Sequence, residues 1–511
     1  MNCVSSSGAL TGRDGSRSIA RDLKTLFRDL PVRSFFGNWN TVVEGISMDS
    51  RKTGPDSLFF AIKGLRTNGN LFIQEAIERG ARAIVTEETV KKLGNVSLIE
   101  VGDIRKVMAE VARRFSGFPE EDLELVGITG TNGKTTVSFL VSFLLREAKE
   151  EAGIIGTIKY YLGNRTIPSS QTTPDPIEMH AMLDQMRKSG CRYGILEVSS
   201  HGIDQRRVDG IGFRVSVFLN LTRDHIDYHS SMDSYFEVKQ RLFNGGIGRV
   251  PEIAVVNIDD PYGKKLVTDI PDDMQVIRVG EDTRADLRAK EVEFDDRGCQ
   301  FTLCWPEGEK RVSTSLLGRF NLNNSLASLG VCYALGYDLE PLADRLAYFP
   351  GVPGRLERVD VGQPFNVLVD YAHTHDALTN VLVMLRNITK GKVMVVFGCG
   401  GDRDREKRPL MTRSVIRNSD RSWATSDNSR SEFIGDIFSD MKKGVDQEDQ
   451  IEFVEDRREA IRLAISEAES GDSLLIAGKG HETFQEFNDS TVPFNDNLVA
   501  LELVKAKRNW V

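Results

Sequence analysis

The run Thr129-Gly130-Thr131-Asn132-Gly133-Lys134-Thr135-Thr136 has the residue types needed to hold a polyphosphate. Gly130 and Gly133 let backbone N–H groups curl around phosphate oxygens, a helix opening beyond them adds its dipole, and Lys134 supplies a point charge. Thr135 carries the hydroxyl that such a loop turns toward Mg2+. The run departs from G-x-x-x-x-G-K-[ST] because Ile128 stands in the first glycine position and Gly127 lies one residue earlier. Its flanks, LELVGI before and VSFLVSFLL after, read as a buried strand and an apolar helix, the context the motif requires. ATP chemistry at phosphorus is therefore the first expectation.

Further along, Glu197 and His225 offer an oxygen and a nitrogen that could share a Mg2+. Lys239, in the helical pattern SYFEVKQRLF, reads on its own as a solvated lysine. Asn257, Asp259 and Asp260 close the strand pattern EIAVVN, where a polar cluster can be a plain turn.

These residues need a scaffold, and the chain alternates the elements that build one. From about Val42 to Phe115, SLFFAIKG, FIQEAIERGA, RAIVTEE, SLIEVGD and IRKVMAEVARRF spell a small α/β unit, closed by a linker at FSGFPEED. A second α/β set runs to YFPGVPGRLERVD, where prolines and glycines crowd together. The last third repeats the rhythm: FNVLVDYA, a helix from about His375, KVMVVFGCGG, a helix after Pro409, SWATSDNS, a helix, IEFVED, a helix, and SLLIAGKGHE. Strands alternating with helices imply mostly parallel sheets, whose ligands sit beyond the carboxyl ends of strands. GCGGDRDR, SDNSR and GKGHE each follow an apolar run, which places all three on one rim. The fold class is α/β in three domains, 1-118, 119-347 and 348-511: a central P-loop mononucleotide-binding sheet between a small α/β N-terminal domain and a Rossmann-like C-terminal domain.

Composition sets the outer limits. At 511 residues the chain exceeds one hydrophobic core, given about 100–200 residues per domain. With 40% hydrophobic and 28% charged residues it is an ordinary globular sequence, and no apolar stretch reaches the ~20 residues that span a bilayer. A net charge of -9 argues against nucleic acid as a partner. Its cysteines, Cys3, Cys191, Cys299, Cys304, Cys332 and Cys399, show neither C-x-x-C pairing nor zinc spacing and read as reduced thiols of a cytoplasmic protein. The first twenty or so residues are polar, Gly/Ser-rich and without a signal-peptide core, and are expected to be disordered. A monomer is expected, without membrane insertion.

The variant loop resembles that of the Mur ligase superfamily, and motifs in the same order continue the likeness over nearly everything after residue 40. They are Glu197-Val198-Ser199-Ser200-His201; the stretch from Asn220 through His225 to His229; Lys239; Gly318-Arg319-Phe320-Asn321 followed by Asn324; and Gly354-Arg355-Leu356-Glu357. Asp370-Tyr371-Ala372-His373-Thr374, the GCGGDRD run at 398–404, Lys407-Arg408-Pro409 and Gly478-Lys479-Gly480-His481-Glu482 extend it.

The resemblance implies an ATP-dependent amide-bond-forming ligase of peptidoglycan synthesis, acting on a UDP-MurNAc-dipeptide through an acyl phosphate. It implies ATP held by Gly130 to Thr136, with Asn257, Asn321, Asn324 and Arg355 around the nucleotide, and Mg2+ held by Thr135, Glu197, His225 and a carbamylated Lys239. Thr172, Thr173, Ser199, Gln205 and Arg207 would hold the muramoyl-peptide, with Gln171 standing where relatives can carry Asn. Met48-Asp49-Ser50-Arg51 and the stretch beginning Gly64-Leu65-Arg66 would receive the uridine diphosphate, Met48 and Ser50 among the contacts. Arg403, Asp427, Asn428, Ser429, Arg430, Gly478 and Glu482 would form the amino-acid pocket. Diaminopimelate-adding members carry Asp-Asn-Pro-Arg where this chain has Asp-Asn-Ser-Arg, so meso-2,6-diaminopimelate is the expected amino acid, with L-lysine the alternative. A folylpolyglutamate synthetase and a non-enzymatic ATP-binding module are the remaining readings.

Overall fold

The computed structural model describes residues 20–507 apart from 65–66, 91–93, 272–273, 447–448 and 489. The expected disordered extension, Cys3, Leu65 and Arg66 lie outside the described residues. The chain forms two compact units, one up to Asp286 together with Ala327–Leu339, the other Leu287–Leu326 with Glu340 onward.

The first unit contains two sheets. Its N-terminal sheet runs Val32–Phe36, Ser97–Val101, Ala81–Thr86, Ser57–Phe60, Gly45–Ser47, parallel except for the first pair. The α/β unit thus starts before Val42, with the edge strand Val32–Phe36 and the short helix Leu23–Leu26. The helix Ile104–Ser116 is capped by Asp103, whose side chain accepts from Lys106 N, and stops at Gly117, where a φ of 75° suits a residue without Cβ. Its Val107, Met108 and Val111 face Leu58, Phe60, Val85 and Ile99 of the sheet.

In the central sheet of this unit the strand Glu124–Thr129 lies between Tyr193–Glu197 and Val215–Phe218, all parallel. Ala152–Ile155 continues on the Tyr193 side, and Ile253–Asn257 and Gln275–Gly280 on the Val215 side. The chain therefore leaves Glu124–Thr129, builds one flank, and crosses back to build the other. A crevice opens at such a reversal, outside the carboxyl ends of the strands. The loop Gly130–Gly133 leaves from that point and leads into the helix Lys134–Glu147.

The second unit holds the antiparallel strands Leu287–Phe294, Cys299–Trp305 and Gly308–Thr314, and a further sheet. That sheet is ordered Glu357–Arg358, Asn366–Asp370, Ser473–Ala477, Val393–Cys399, Arg421–Ser426, Ile451–Phe453, parallel after its first pair. Because Ser473–Ala477, Val393–Cys399 and Arg421–Ser426 are parallel neighbours, the segments that follow them share one rim, as expected. The helix expected after Pro409 instead begins at Lys407 and carries the proline in its first turn, where a missing N–H costs no hydrogen bond.

Candidate functional site

At the central switch point the phosphate loop is held by the strand ends on both sides. Gly133 adopts φ 91° directly before Lys134, so the loop reaches its helix through a conformation that favours glycine. Asn220, just past Val215–Phe218, clamps Asn132 at both backbone groups: its Oδ1 accepts from Asn132 N at 2.9 Å and its Nδ2 donates to Asn132 O at 3.1 Å. Thr131 Oγ1 accepts from Thr222 N at 3.0 Å and lies 3.2 Å from the Tyr235 hydroxyl. Lys134 Nζ donates to the carbonyls of Gly130 and Thr131 at 2.8 and 2.9 Å, so the ammonium lies over the loop. Thr135 and Thr136 are buried in the first helical turn.

On the other flank, Glu197 at the end of its strand is fully buried and is a hub. It accepts from Thr135 Oγ1 at 2.9 Å, from Thr157 N at 3.0 Å and from Thr157 Oγ1 at 2.8 Å. Thr157 Oγ1 in turn lies 3.0 Å from Thr172 Oγ1. Thr173 Oγ1 donates to Glu197 O at 2.7 Å and accepts from Ser199 N at 3.0 Å. Arg207 donates to Thr173 O at 2.7 Å, to Gln205 Oε1 at 2.8 Å and to Gln171 Oε1. Thr172, Thr173, Ser199, Gln205 and Arg207 therefore form one patch joined through Glu197 to the phosphate loop.

Lys239 is 1% exposed, with Nζ 3.1 Å from Gly130 O and 3.4 Å from Thr129 Oγ1, over the Tyr235 ring. The solvated reading of this lysine is corrected: Tyr235, Phe236 and Lys239 are the buried positions of the helix Met232–Gln240. Burial and the charge of Lys134, opposed by Asp224, push its amine well below the usual lysine value.

His225, at φ 52°, packs edge-on to His201 and Tyr235 with ring centroids 4.8 and 6.3 Å away. Among the described residues no three His, Cys, Asp or Glu side chains cluster as a metal cage. Thr135 and Glu197 still present the oxygen donors suited to a Mg2+ that takes most of its ligands from phosphate and water. Lys239 fits that set only as an anionic carbamate, since an ammonium offers no lone pair.

Asn257 Nδ2 donates to Leu219 O at 2.9 Å and its Oδ1 accepts from Asp259 N, tying two strand ends together. Ser50 is buried and donates to Glu75 Oε2 at 2.8 Å, while Met48 nearby is exposed.

In the second unit, Asn324 Nδ2 donates to Asn321 Oδ1 at 2.9 Å, and Asn321 Nδ2 to Leu317 O. Arg355 lies over the Tyr371 ring, 4.8 Å from its centroid. The rim gathers Asp427, Asn428, Ser429, Arg430, Gly478 and Glu482. Asn428 Nδ2 donates to Glu482 Oε2, and Lys479 Nζ bridges Asn428 Oδ1 and Glu482 Oε2, all at 2.9 Å. A Cβ on Gly478 would meet Asp427 Oδ2 at 2.7 Å, so that close approach requires glycine. Arg430 Nη1 donates to Gly401 O at 2.8 Å, and its Nε pairs with Glu486 Oε2 at 3.0 Å. Arg403, two residues beyond Gly401 on the glycine-rich run, is exposed and donates to Asp402 O at 3.4 Å. The sequence reading missed Thr157 and Glu486 as members of these networks, each an ordinary residue in an ordinary loop or strand until the fold supplies its partner, and it quoted Lys479 within Gly478-Lys479-Gly480-His481-Glu482 without giving it a role.

A glycine-rich loop running into a helix at the reversal of a parallel sheet, joined through a buried carboxylate to a second polar patch, is the arrangement of a nucleotide-dependent enzyme. The chain belongs to the Mur ligase family, whose members are ATP-dependent amide-bond-forming ligases. Residues 42–116 match the model described as Mur ligase family, catalytic domain, residues 128–332 the Mur ligase middle domain, and residues 354–480 the Mur ligase, glutamate ligase domain. It is similar to the UDP-N-acetylmuramoyl-L-alanyl-D-glutamate--2,6-diaminopimelate ligase of Geobacillus thermodenitrificans, at 43% identity across 95% of this chain and 100% of that one. The protein of the same name from Solibacter usitatus is 41% identical across 91% of this chain and 94% of its own. A solved structure of a ligase of that name superposes with a TM-score of 0.69 at 31% identity, covering 96% of this chain and all of that one.

Proposed function

We propose that this protein uses ATP to join meso-2,6-diaminopimelate to the D-glutamate carboxylate of UDP-N-acetylmuramoyl-L-alanyl-D-glutamate, in peptidoglycan synthesis. The observation that carries the reading is the short relay from Thr135 through Glu197 and Thr157 to Thr172: only two side chains separate the phosphate loop from the acceptor patch. Such proximity is what phosphoryl transfer to an acceptor carboxylate needs. The relatives' names, and Arg430 at the end of Asp427-Asn428-Ser429, support this choice of the two partners to be joined.

A carboxylate does not exchange its oxygen for an amine without activation. In the proposed reaction a carboxylate oxygen attacks the γ-phosphorus of ATP, the bond to ADP breaks, and an acyl phosphate forms. The amine then attacks the acyl carbon and gives up a proton, and inorganic phosphate leaves with the bonding pair. Lys134 offsets the charge on the transferring phosphoryl, and the N–H groups of Gly130 to Thr136 orient the nucleotide. Thr135, Glu197, His225 and carbamylated Lys239 would hold Mg2+, which would supply further charge compensation for the transferring phosphoryl. Asn257, Asn321, Asn324 and Arg355 are assigned to the nucleotide, Met48 and Ser50 to the uridine diphosphate, and Thr172, Thr173, Ser199, Gln205 and Arg207 to the muramoyl-peptide. Arg403, Asp427, Asn428, Ser429, Arg430, Gly478 and Glu482 form the amino-acid site. Three domains, 1-118, 119-347 and 348-511, and a cytoplasmic monomer belong to the same reading. Among the described residues no helix is long and apolar enough to cross a membrane.

The test is mass analysis of products formed from UDP-N-acetylmuramoyl-L-alanyl-D-glutamate, ATP and each of a panel of amino acids. A diaminopimelate-containing tripeptide is expected. A product with lysine alone would reassign the amino acid, and phosphate release indifferent to both co-substrates would reduce the protein to an ATP-binding module.

A further inference from the structure

Arg430 does not stand alone on the rim. Its backbone, at φ 49°, is threaded into the neighbourhood of the hairpin Phe484–Phe487 with Ser490–Pro493: Arg430 N donates to Glu486 O at 3.0 Å and Asn488 N donates to Arg430 O at 2.6 Å. The Glu486 side chain then takes Nε of the same arginine, and Gly401 O takes Nη1. Glu486 N donates to Asn428 Oδ1 at 3.1 Å, so one residue grips both Asn428 and Arg430. A Cβ at Gly400 would come within 3.2 Å of Arg430 Nη1, which shows how closely the glycine-rich run lies against the guanidinium.

A guanidinium is planar, so fixing Nε and one Nη1 proton fixes the direction of its remaining donors. We propose that Glu486 is a positioning residue for amino-acid specificity: by holding Nε it aims the rest of the Arg430 fork at the distal carboxylate of the incoming amino acid. The inference rests on the reading of Arg430 as the carboxylate receptor. A carboxylate on Nε also keeps the pair near neutral, so the pocket selects by hydrogen-bond direction rather than by net attraction for any anion. Orientation of a side chain before binding spares the ligand that ordering cost.

The test compares steady-state kinetics of the unaltered enzyme, Glu486→Ala, Glu486→Gln, Arg430→Ala and the double variant Glu486→Ala/Arg430→Ala. Glu486→Ala is expected to raise KM for diaminopimelate about 2- to 10-fold, the range of one immobilised side chain, with kcat and the KM for ATP little changed. Glu486→Gln, which keeps an acceptor for Nε, recovers part of the loss. The double variant is no worse than Arg430→Ala, because both changes act through one guanidinium. An unchanged or lowered KM in Glu486→Ala beside a raised one in Arg430→Ala overturns the inference alone. An unchanged KM in Arg430→Ala overturns the receptor reading, and the inference with it. Equal unfolding temperatures are expected across the set, since the Glu486 side chain is 39% exposed.

Discussion

The amino groups of Lys134 and Lys239 both reach the carbonyl oxygen of Gly130, at 2.8 and 3.1 Å. Two ammonium ions cannot share one acceptor comfortably away from water, and Lys239 is the one that yields, being buried and without an anionic hydrogen-bond partner among the described residues. A neutral amine is the form that adds to carbon dioxide, making a C–N bond and losing one proton to leave a carbamate. Burial and Lys134 favour that neutral form at Lys239, and carbamylation there would turn a misplaced cation into an oxygen donor.

Lys239→Ala should therefore lose most of its activity, and short carboxylic acids should restore part of it by supplying oxygens in the vacated space. Native mass spectra of the unaltered protein, prepared with bicarbonate, should show an added carbon dioxide that is absent from the variant. Full activity in Lys239→Ala would refute the role.

For Lys134 the expected effect is on turnover. Lys134→Ala removes the point charge from the transferring phosphoryl, and losses of roughly 10²–10³ in kcat are typical when a single preorganised donor is removed. The unfolding temperature should be largely preserved, because the bonds Lys134 makes to the carbonyls of Gly130 and Thr131 lie on a part-buried surface. Near-normal turnover would mean that the loop does not bind the reacting phosphate.

How much of this was legible before the fold was known differs from residue to residue. The phosphate loop was, because strand, glycines, lysine and helix are contiguous. Lys239 was not: helical spacing placed it on one face with Tyr235 and Phe236, but its burial depends on Thr129 and Gly130, contributed by a strand far away in sequence. The edge strand Val32–Phe36 was missed because an edge strand alternates only weakly, and all its side chains are at least partly exposed. Pro409 misled the placement of a helix start, which lies at Lys407 and not beyond the proline, since a proline tolerated in the first turn looks the same in sequence as one that precedes it. Glu486 carried no signal at all; only the hairpin brings it to Arg430.

Acid should loosen the first unit at the buried contact between the helices Ile104–Ser116 and Pro176–Lys188. There Glu120, with no exposed side-chain surface, lies 2.7 Å from Arg113 Nε and 3.4 Å from His180 Nδ1, while Arg113 also pairs with Glu110 and more distantly with Glu121. Burial opposes ionisation of Glu120, yet His180 and Arg113 outweigh it and hold its carboxyl down to about 2. Burial lowers His180, against the pull of Glu120. Both folded-state values lie below the unfolded ones, so the unfolded chain binds more protons: stability falls first as the pH drops below ~6.5 and again below ~4.5. Unfolding temperatures measured from pH 7 to pH 4 should decline, and His180→Gln should flatten the upper part of that decline. An identical slope in the variant between pH 7 and pH 5 would refute the assignment to His180.

The choice between diaminopimelate and lysine turns on one group. The two amino acids differ by a carboxylate at the far end of the side chain, and a receptor for it must offer a cation with directional donors. Arg430 is part-buried, fixed at Nε by Glu486 and at Nη1 by Gly401, and stands beside Asn428 and the Lys479–Glu482 pair. Lysine would leave the remaining donors of the Arg430 fork without an acceptor, because its terminal ammonium has no lone pair to receive them. Removing one partner of a buried hydrogen-bonded charge pair costs ~2–5 kcal/mol, so Arg430→Ala should weaken diaminopimelate use by roughly 30-fold or more while ATP use stays near normal. Ser429 stands where diaminopimelate-adding relatives are expected to carry proline, which removes a φ restraint. The backbone bonds that Arg430 N donates to Glu486 O and Arg430 O accepts from Asn488 N restrain the same turn, so Ser429→Pro is expected to change selectivity little. The deciding measurement is kcat/KM for the two amino acids with the unaltered enzyme: a preference for lysine would sink the assignment whatever the arginine variant does.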